Sequence, residues 1–373
     1  MLFFSIYFEI CKNISSSPSA SFSNVAYIFS LSSSKYDILI DGGLLQEAGK
    51  HIKEKLGGVR LCIITDDTVN KLYADTLEKS LDRESLTYIK FVIPHGENSK
   101  SAENLIAILE FLAENRITRS DAIIALGGGV VGDISGFCAG VYLRGIKFVQ
   151  IPTTLLSAVD SSVGGKTAIN LKAGKNLAGV FHQPSLVICD PKTLDTLPNE
   201  TFCDGCAEVI KYAVINDAEL FEILKKGIRN NLEEIIARCV KNKADIVEKD
   251  EFDLGIRQLL NLGHTTGHAI EICSKFDISH GQAVAIGMCV ATKIAVSMNI
   301  CPASDLEEII ALIEKEGLPT SSPFSAKELA TIASTDKKRE GAKINFILPY
   351  GIGNCKAVKI DAKELEAFIK KGL

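Results

Sequence analysis

Asp121-Ala-Ile-Ile-Ala-Leu126 runs directly into Gly127-Gly-Gly-Val-Val-Gly-Asp133, and this junction decides the fold. An apolar run from Ala122 to Leu126, closed by glycines, reads as a buried strand. The glycines then make a tight turn that opens a helix. Backbone N–H groups at such a helix start approach a pyrophosphate closely. Gly127-x-Gly129-x-x-Gly132 matches the dinucleotide fingerprint. The acidic residue that usually ends the next strand is missing, because Phe148-Val-Gln-Ile151 runs into Pro152-Thr-Thr154. The pattern is therefore a variant of the Rossmann unit and not an ordinary copy.

Further strands flank this one. Tyr36–Ile40 alternates, Leu61–Thr65 is a short apolar run with Asp66-Asp67 at its end, and Ile89–Pro94 is closed by proline. Phe148–Ile151 and Leu186–Cys189 read the same way. Ser101–Asn115 lies between two of these strands, with apolar residues at 105, 108, 109 and 112, the spacing of a helix. Strands alternating with helices predict a parallel, doubly wound sheet.

After Pro198 the style changes. Ala207–Ile215, Ala218–Ala237 and Ile256–Ser274 carry helical periodicity, and Lys343–Leu348 is expected as a strand or short hairpin. The expected organisation is an extension over 1–34, an α/β domain over 35–197 and a mainly α-helical domain over 198–373. A length of 373 residues fits two domains at roughly 100–200 residues each.

Composition narrows the function classes. The chain is 46% hydrophobic and 23% charged, with 41 basic and 46 acidic residues and a formal charge of −5. That balance shows no basic excess of the kind that marks a nucleic-acid binder. Eleven cysteines spread over a long chain point to reduced thiols and a cytoplasmic setting. There is no apolar stretch of about 18–20 residues to cross a membrane. Residues 11–35 hold ten serines and no arginine, which leaves residues 1–34 as either a disordered extension or an organellar targeting segment. They carry no site motif and are expected to be dispensable.

Two groups of residues carry chemistry. Asp160-Ser-Ser-Val-Gly-Gly-Lys166-Thr167 lacks the first glycine of a P-loop, yet a glycine loop presenting one lysine suits a phosphate, and Lys175-Asn176 adds a cation and an amide. In the helical half, Arg257, Asn261, His264 and His268 are spaced 4, 3 and 4, so on one continuous helix they share a face. Half of the six histidines fall within 264–280, and Glu208 and Lys211 put an acid and a base three apart on another helix. One carboxylate plus two histidines, with an open position, is the catalytic type of zinc site. A His-x3-His pair is the first candidate for the two imidazoles. Cys203-Asp-Gly-Cys206 stands alone and reads as incidental thiols.

Taken in order, the motifs resemble the 3-dehydroquinate synthase family of sugar phosphate cyclases. They are Gly96-Glu-x-x-Lys100, Gly127–Asp133, Tyr142-Leu-Arg-Gly145, Pro152–Leu156, Asp160–Thr167, Gly174-Lys-Asn176, Ala207-Glu-Val-Ile-Lys-Tyr212, Leu260–Glu271, His280-Gly and Asp336-Lys-Lys338. The resemblance covers about residues 35–350. It implies an NAD-binding domain, a helical metal domain and one divalent ion, Zn2+ or Co2+. It implies Glu208, His264 and His280 as ligands, which moves His268 to the substrate side.

The same resemblance assigns NAD contacts to Asp66, Gly96, Glu97, Lys100, Gly128, Gly129, Val130, Gly132, Asp133, Thr153, Thr154, Lys166, Lys175 and the segment Thr193, Leu194, Asp195, Thr196. It assigns the substrate to Asp160, Lys166, Asn176, Lys211, Lys243, Arg257, Asn261, His268 and Lys337 or Lys338. Arg144 resembles an arginine that reaches a neighbouring subunit, which implies a homodimer. The implied substrate is a heptulosonate 7-phosphate, a small molecule, with no nucleic acid and no membrane as partner. One departure is Gln282, where the family commonly has glutamate; it is expected to alter the tuning of the metal.

Overall fold

The computed structural model describes residues 27–31, 36–253, 255–337 and 343–373. They divide into two compact units, one formed by residues up to Thr153 with Gly165–Asp195 and the other by Thr154–Gly164 with Thr196–Leu373. The sequence reading put one boundary at 197/198, so residues 154–164, with 196 and 197, change sides. Among the described residues no helix is long and apolar enough to cross a membrane.

The first unit is built on a seven-stranded sheet in the order β1-β2-β9-β6-β5-β3-β4. Its strands are β1 (Tyr27–Leu31), β2 (Tyr36–Ile40), β3 (Leu61–Asp66), β4 (Tyr88–Ile93), β5 (Ala122–Gly127), β6 (Lys147–Pro152) and β9 (Leu186–Cys189). All neighbours pair in parallel except β1 with β2. The helices are α1 (Leu44–Leu56), the single turn α2 (Asp67–Val69), α3 (Asp75–Arg83), α4 (Ala102–Glu114) and α5 (Gly129–Val141).

The strands alternate between two cores. Leu61 and Ile63 of β3 and Ile124 and Leu126 of β5 join α1 and α3 on one face. Cys62, Ile64, Ile123 and Ala125 join α4 and α5 on the other. A strand buried on both faces explains the continuous apolar runs, and helices on both faces make the sheet doubly wound.

Two features were not expected. β7 (Lys166–Leu171) and β8 (Gly174–Phe181) form an antiparallel hairpin that begins at the end of the glycine loop, where no strand was expected. β1 lies inside the supposed extension and pairs with β2 from Tyr27↔Ile40 to Leu31↔Tyr36. Residues 1–34 are therefore not all outside the domain; the structure of residues 1–26 lies outside the described residues.

The second unit packs α6 (Asn199–Asn216), α7 (Ala218–Leu224), α8 (Leu232–Lys249), α9 (His264–Cys273), α10 (His280–Ser297), α11 (Ala303–Lys315), α12 (Ala326–Lys337) and α13 (Leu365–Lys370). The expected hairpin is present as β10 (Lys343–Pro349) against β11 (Cys355–Asp361). α6 and α10 are buried along most of their length, as central helices should be; α10 is mostly apolar, while α6 carries Glu208 and Lys211 into the interior.

The expected single helix over Ile256–Ser274 is broken. Ile256–Asn261 is a 3-10 turn, Leu262 is extended, and α9 starts only at His264. The break falls at Gly263, whose φ of 79° lies in the left-handed region. A Cβ there would meet the Val284 carbonyl oxygen at 2.6 Å. Arg257 and Asn261 therefore do not share a helix face with His264 and His268.

Deleting β1 should be measurable. A chain begun at Lys35 exposes the edge of β2 and gives up a strand pairing with a net worth of about 1 kcal/mol or more. At this size that lowers the melting temperature by about 2–4 °C. Superimposable melting curves for the two chains would show that β1 contributes nothing.

Candidate active site and cofactor cradle

In the first unit, the carboxyl ends of β3, β5 and β6 carry Asp66, Gly127 and Pro152. The chain steps outward from β3 to β4, then returns to the other side of β3 for β5. Such a reversal leaves a crevice at the carboxyl ends of the strands, where open α/β sheets bind nucleotides. α5 starts at Gly129, with Gly128 as its cap and no side chain satisfying its first N–H groups. Those donors and the helix dipole favour a pyrophosphate. Asp66 caps α2 by accepting from Thr68 and Val69 nitrogens, both at 2.9 Å.

The lysine of Gly96-Glu-x-x-Lys100 is drawn inward. Lys100 is 5% exposed and its Nζ meets Asp133 Oδ2 and, at 2.5 Å, Asn176 Oδ1. Asn170 Nδ2 donates to Glu97 Oε1 at 2.7 Å, while Asn170 Oδ1 accepts from Asn176 N at 2.9 Å. The hairpin thus ties Glu97, Lys100, Asp133 and Asn176 into one polar network. Thr153 N donates to Gly127 O at 3.0 Å, and Thr193 O accepts from Tyr73 at 2.8 Å. Gly132 and Leu194 are buried, while Gly96, Lys166, Asp195 and Arg144 are exposed and Val130 and Lys175 half-buried. Thr154 and Thr196 belong to the second unit. Arg144 and Leu143 adopt φ of 66° and 50°, a strained turn.

The second unit gathers the charged residues. Glu208 is 1% exposed, and its Oε1 lies 3.4 Å from His264 Nε2 and 3.3 Å from His280 Nε2. His264 Nδ1 hydrogen-bonds the Leu262 carbonyl at 3.1 Å. His280 Nδ1 hydrogen-bonds Glu271 Oε2 at 3.3 Å. A carbonyl or carboxylate oxygen only accepts, so each Nδ1 carries a proton, and each Nε2 faces Glu208, where a bound cation would take the place of any proton on it. Two imidazole nitrogens and a carboxylate, all within 4.8 Å of one another, form a donor set that fits one divalent cation. The sequence reading gave Glu271 no role, although it sits seven residues after His264 on the same helix. His268 is exposed, its ring 5.3 Å from that of His264 and 6.2 Å from that of His280. His268, Glu271 and His280 also lie close enough to hold an ion, but that grouping uses His280 a second time.

The cations form a relay of pairs. Lys211 Nζ meets Glu208 Oε2 and lies 3.4 Å from Asp160 Oδ2. Lys243 Nζ meets Asp160 Oδ1 and donates to the Asp160 carbonyl at 2.8 Å. Burial raises the Glu208 carboxyl, but Lys211 and His264 outweigh it and hold the group well below its usual range. Burial lowers Lys211, yet Glu208 and Asp160 raise it above its usual value. Burial wins at Lys243, which falls below the usual lysine value despite Asp160. His280, opposed by burial but held by Glu208 and Glu271, rises to about 10.

Arg257 is 2% exposed and donates to the carbonyls of Glu251 and, at 3.1 Å, Gly164. It therefore also braces the turn that carries Asp160. Asn261 is exposed. Lys337 ends α12, and Lys338 lies outside the described residues. Gln282 Oε1 accepts from Ser279 N at 3.2 Å and closes a capping box on α10.

A doubly wound sheet with a pyrophosphate-type helix start, joined to a helical unit with a carboxylate and two imidazoles, is the layout of an NAD-dependent metalloenzyme. Residues 90–204 match the family model for the 3-dehydroquinate synthase N-terminal domain, and residues 205–339 match the model for its C-terminal domain. The 3-dehydroquinate synthase of Enterococcus faecalis (strain ATCC 47077 / OG1RF) is 43% identical over 343 residues, 90% of this chain and 96% of that one. That of Rhizobium meliloti (strain 1021) is 45% identical over 340 residues, 87% of this chain and 90% of that one. The solved 2-epi-5-epi-valiolone synthase of Streptomyces hygroscopicus subsp. jinggangensis 5008, with NAD+ and Zn2+ bound, matches with a TM-score of 0.81 at 28% identity. It covers 90% of this chain and 96% of its own. The chain belongs to the 3-dehydroquinate synthase family.

The ligand set is tested by removing one imidazole. His264→Ala is expected to bind zinc roughly 100-fold more weakly or worse, with an unchanged far-UV spectrum. A variant that takes up one equivalent of zinc as the parent does would remove His264 from the set.

Proposed function

We propose that the chain converts 3-deoxy-D-arabino-heptulosonate 7-phosphate to 3-dehydroquinate and phosphate, the reaction of the 3-dehydroquinate synthases it resembles at 43–45% identity. The observation that carries the reading is the buried relay of Lys211, Asp160 and Lys243 beside Glu208, His264 and His280. When bound, NAD supplies a transient hydride acceptor, and the divalent ion supplies Lewis acidity at the hydroxyl to be oxidised. Glu208, His264 and His280 hold that ion. Gly128, Gly129 and the start of α5 take the pyrophosphate.

A substrate with a carboxylate and a phosphate needs cations, and a neutral polyol does not. Lys211 and Lys243 are already paired through Asp160, so the relay holds its own charges in place before any anion arrives. Arg257 spends two N–H groups on the backbone and has three more to offer a carboxylate. His268 is exposed and suits proton transfer near the departing phosphate. Arg144, exposed on its strained turn, supports a homodimer in which it reaches the neighbouring copy. The protein acts in the cytoplasm on this reading.

The decisive assay follows phosphate release and NADH together. One phosphate is expected per substrate consumed, with no NADH accumulating, because the hydride returns. Stoichiometric NADH from a neutral polyol would instead make the chain an alcohol dehydrogenase.

Arg257→Lys tests the fork. A lysine reproduces neither the pair of carbonyl contacts nor a two-bond grip on a carboxylate. Turnover of the heptulosonate phosphate is expected to fall about 10-fold or more, equivalent to roughly 1.4 kcal/mol in transition-state binding. NAD affinity should stay the same. Normal turnover in this variant would exclude Arg257 from both tasks.

A further inference from the structure

α10 begins at His280, a residue assigned above to the metal, so whatever fixes its first turn fixes that imidazole. The first N–H groups of a helix have no partner inside it and take one from elsewhere. Here the partner comes from α6. Asp204 Oδ1 accepts from Gly281 N at 2.7 Å, from Gln282 N at 3.3 Å and from the Ser279 hydroxyl. The two helices touch at this point: a Cβ on Gly281 would lie 2.0 Å from the Asp204 carbonyl oxygen. Gly281 is thus required by closeness, not by a special backbone angle.

Asp204 and Glu208 are four residues apart on α6, one helical turn. The same rigid element therefore presents one metal ligand and grips the residues on both sides of another. We propose that Asp204 is a positioning residue for the metal site: it bonds Ser279, Gly281 and Gln282 and so sets where the His280 ring meets Glu208. The proposal rests on the ligand assignment of Glu208, His264 and His280.

The same contact accounts for Gln282. A capping box works with glutamine or glutamate at this position. A glutamate would bring a second carboxylate to a helix start already served by Asp204, whereas the amide caps Ser279 N without that repulsion. The carboxylate that the helix dipole favours is delivered from α6.

Zinc titration of the full-length chain against a chromophoric chelator tests this, with Asp204→Ala, Asp204→Asn and His264→Ala compared. Asp204→Ala is expected to weaken zinc about 10- to 100-fold and to change the visible absorption of the Co2+-loaded protein. Asp204→Asn keeps an acceptor oxygen and should stay within about 3-fold of the parent, a rescue that loss of charge alone would not give. If Asp204→Ala matched the parent in affinity and Co2+ spectrum while His264→Ala lost the metal, the positioning role would be overturned and the ligand set would stand. Equal losses in the Ala and Asn variants would overturn it too. Parent-like zinc binding by His264→Ala would overturn both. Should the Ala variant not fold, Gln282→Glu decides: it is expected to weaken zinc in the parent and less in the Asp204→Asn background. An equal effect in both backgrounds would count against the role of Asp204.

Discussion

A carboxylate in a nearly dry interior must find a positive partner, and Glu208, 1% exposed, is the group on which the helical unit turns. An isolated buried charge costs several kcal/mol even after relaxation. Lys211 meets that demand from the next turn of the same helix, but Lys211 is equally buried and needs more than one anion. Asp160 is the second, and Lys243 stabilises Asp160 in turn. The series reaches from the turn at 157–161, through α6, to α8. Its other end is the pair of imidazoles on α9 and α10. Each member is tolerable only because the next is present, so the packing of four helices and one turn answers to a single line of charge.

The parallel sheet was legible because burial on both faces leaves unbroken apolar runs bounded by glycine and proline. Five of those runs became β3, β4, β5, β6 and β9 with small changes at their ends. The hairpin of β7 and β8 escaped because only Thr167 and Ile169 are buried along β7 and none of β8 is. Alternation is then faint, and Gly164-Gly165-Lys166-Thr167 draws the eye to a loop. β1 escaped for a different reason, lying among serines that mark a linker. The broken helix at Gly263 could not be read from periodicity, which runs unbroken from Ile256 to Ser274. What breaks it is the nearness of α10, a contact between residues about 20 positions apart.

The site divides in the same way. Glu208, His264 and His280 stand within ordered motifs, and the resemblance those motifs carry is what implied them as a set. The spacing of His264 and His268 pointed to a different pair from the one whose Nε2 atoms approach Glu208, because His280 arrives from another helix. The partners that hold these residues in place lie deeper. Lys243 meets Asp160 across 83 positions, and Asp204 meets Gly281 across 77. No local pattern encodes such pairings. Asp204 was further concealed between two cysteines, where the thiols drew the attention. One clue was available: Ser279 followed three residues later by Gln282 is a capping signature.

The path of the backbone between the two units has an evolutionary side. The chain passes from one unit to the other after Thr153, returns at Gly165, and passes over again after Asp195. The excursion of eleven residues carries Asp160, the anion that Lys211 and Lys243 share. A single recombination point near residue 196 would therefore hand a new partner a helical unit without its central carboxylate. Two proteins of this design cannot trade halves the way beads are restrung. Variation must enter residue by residue, or the short insert must travel with the distant helices it serves.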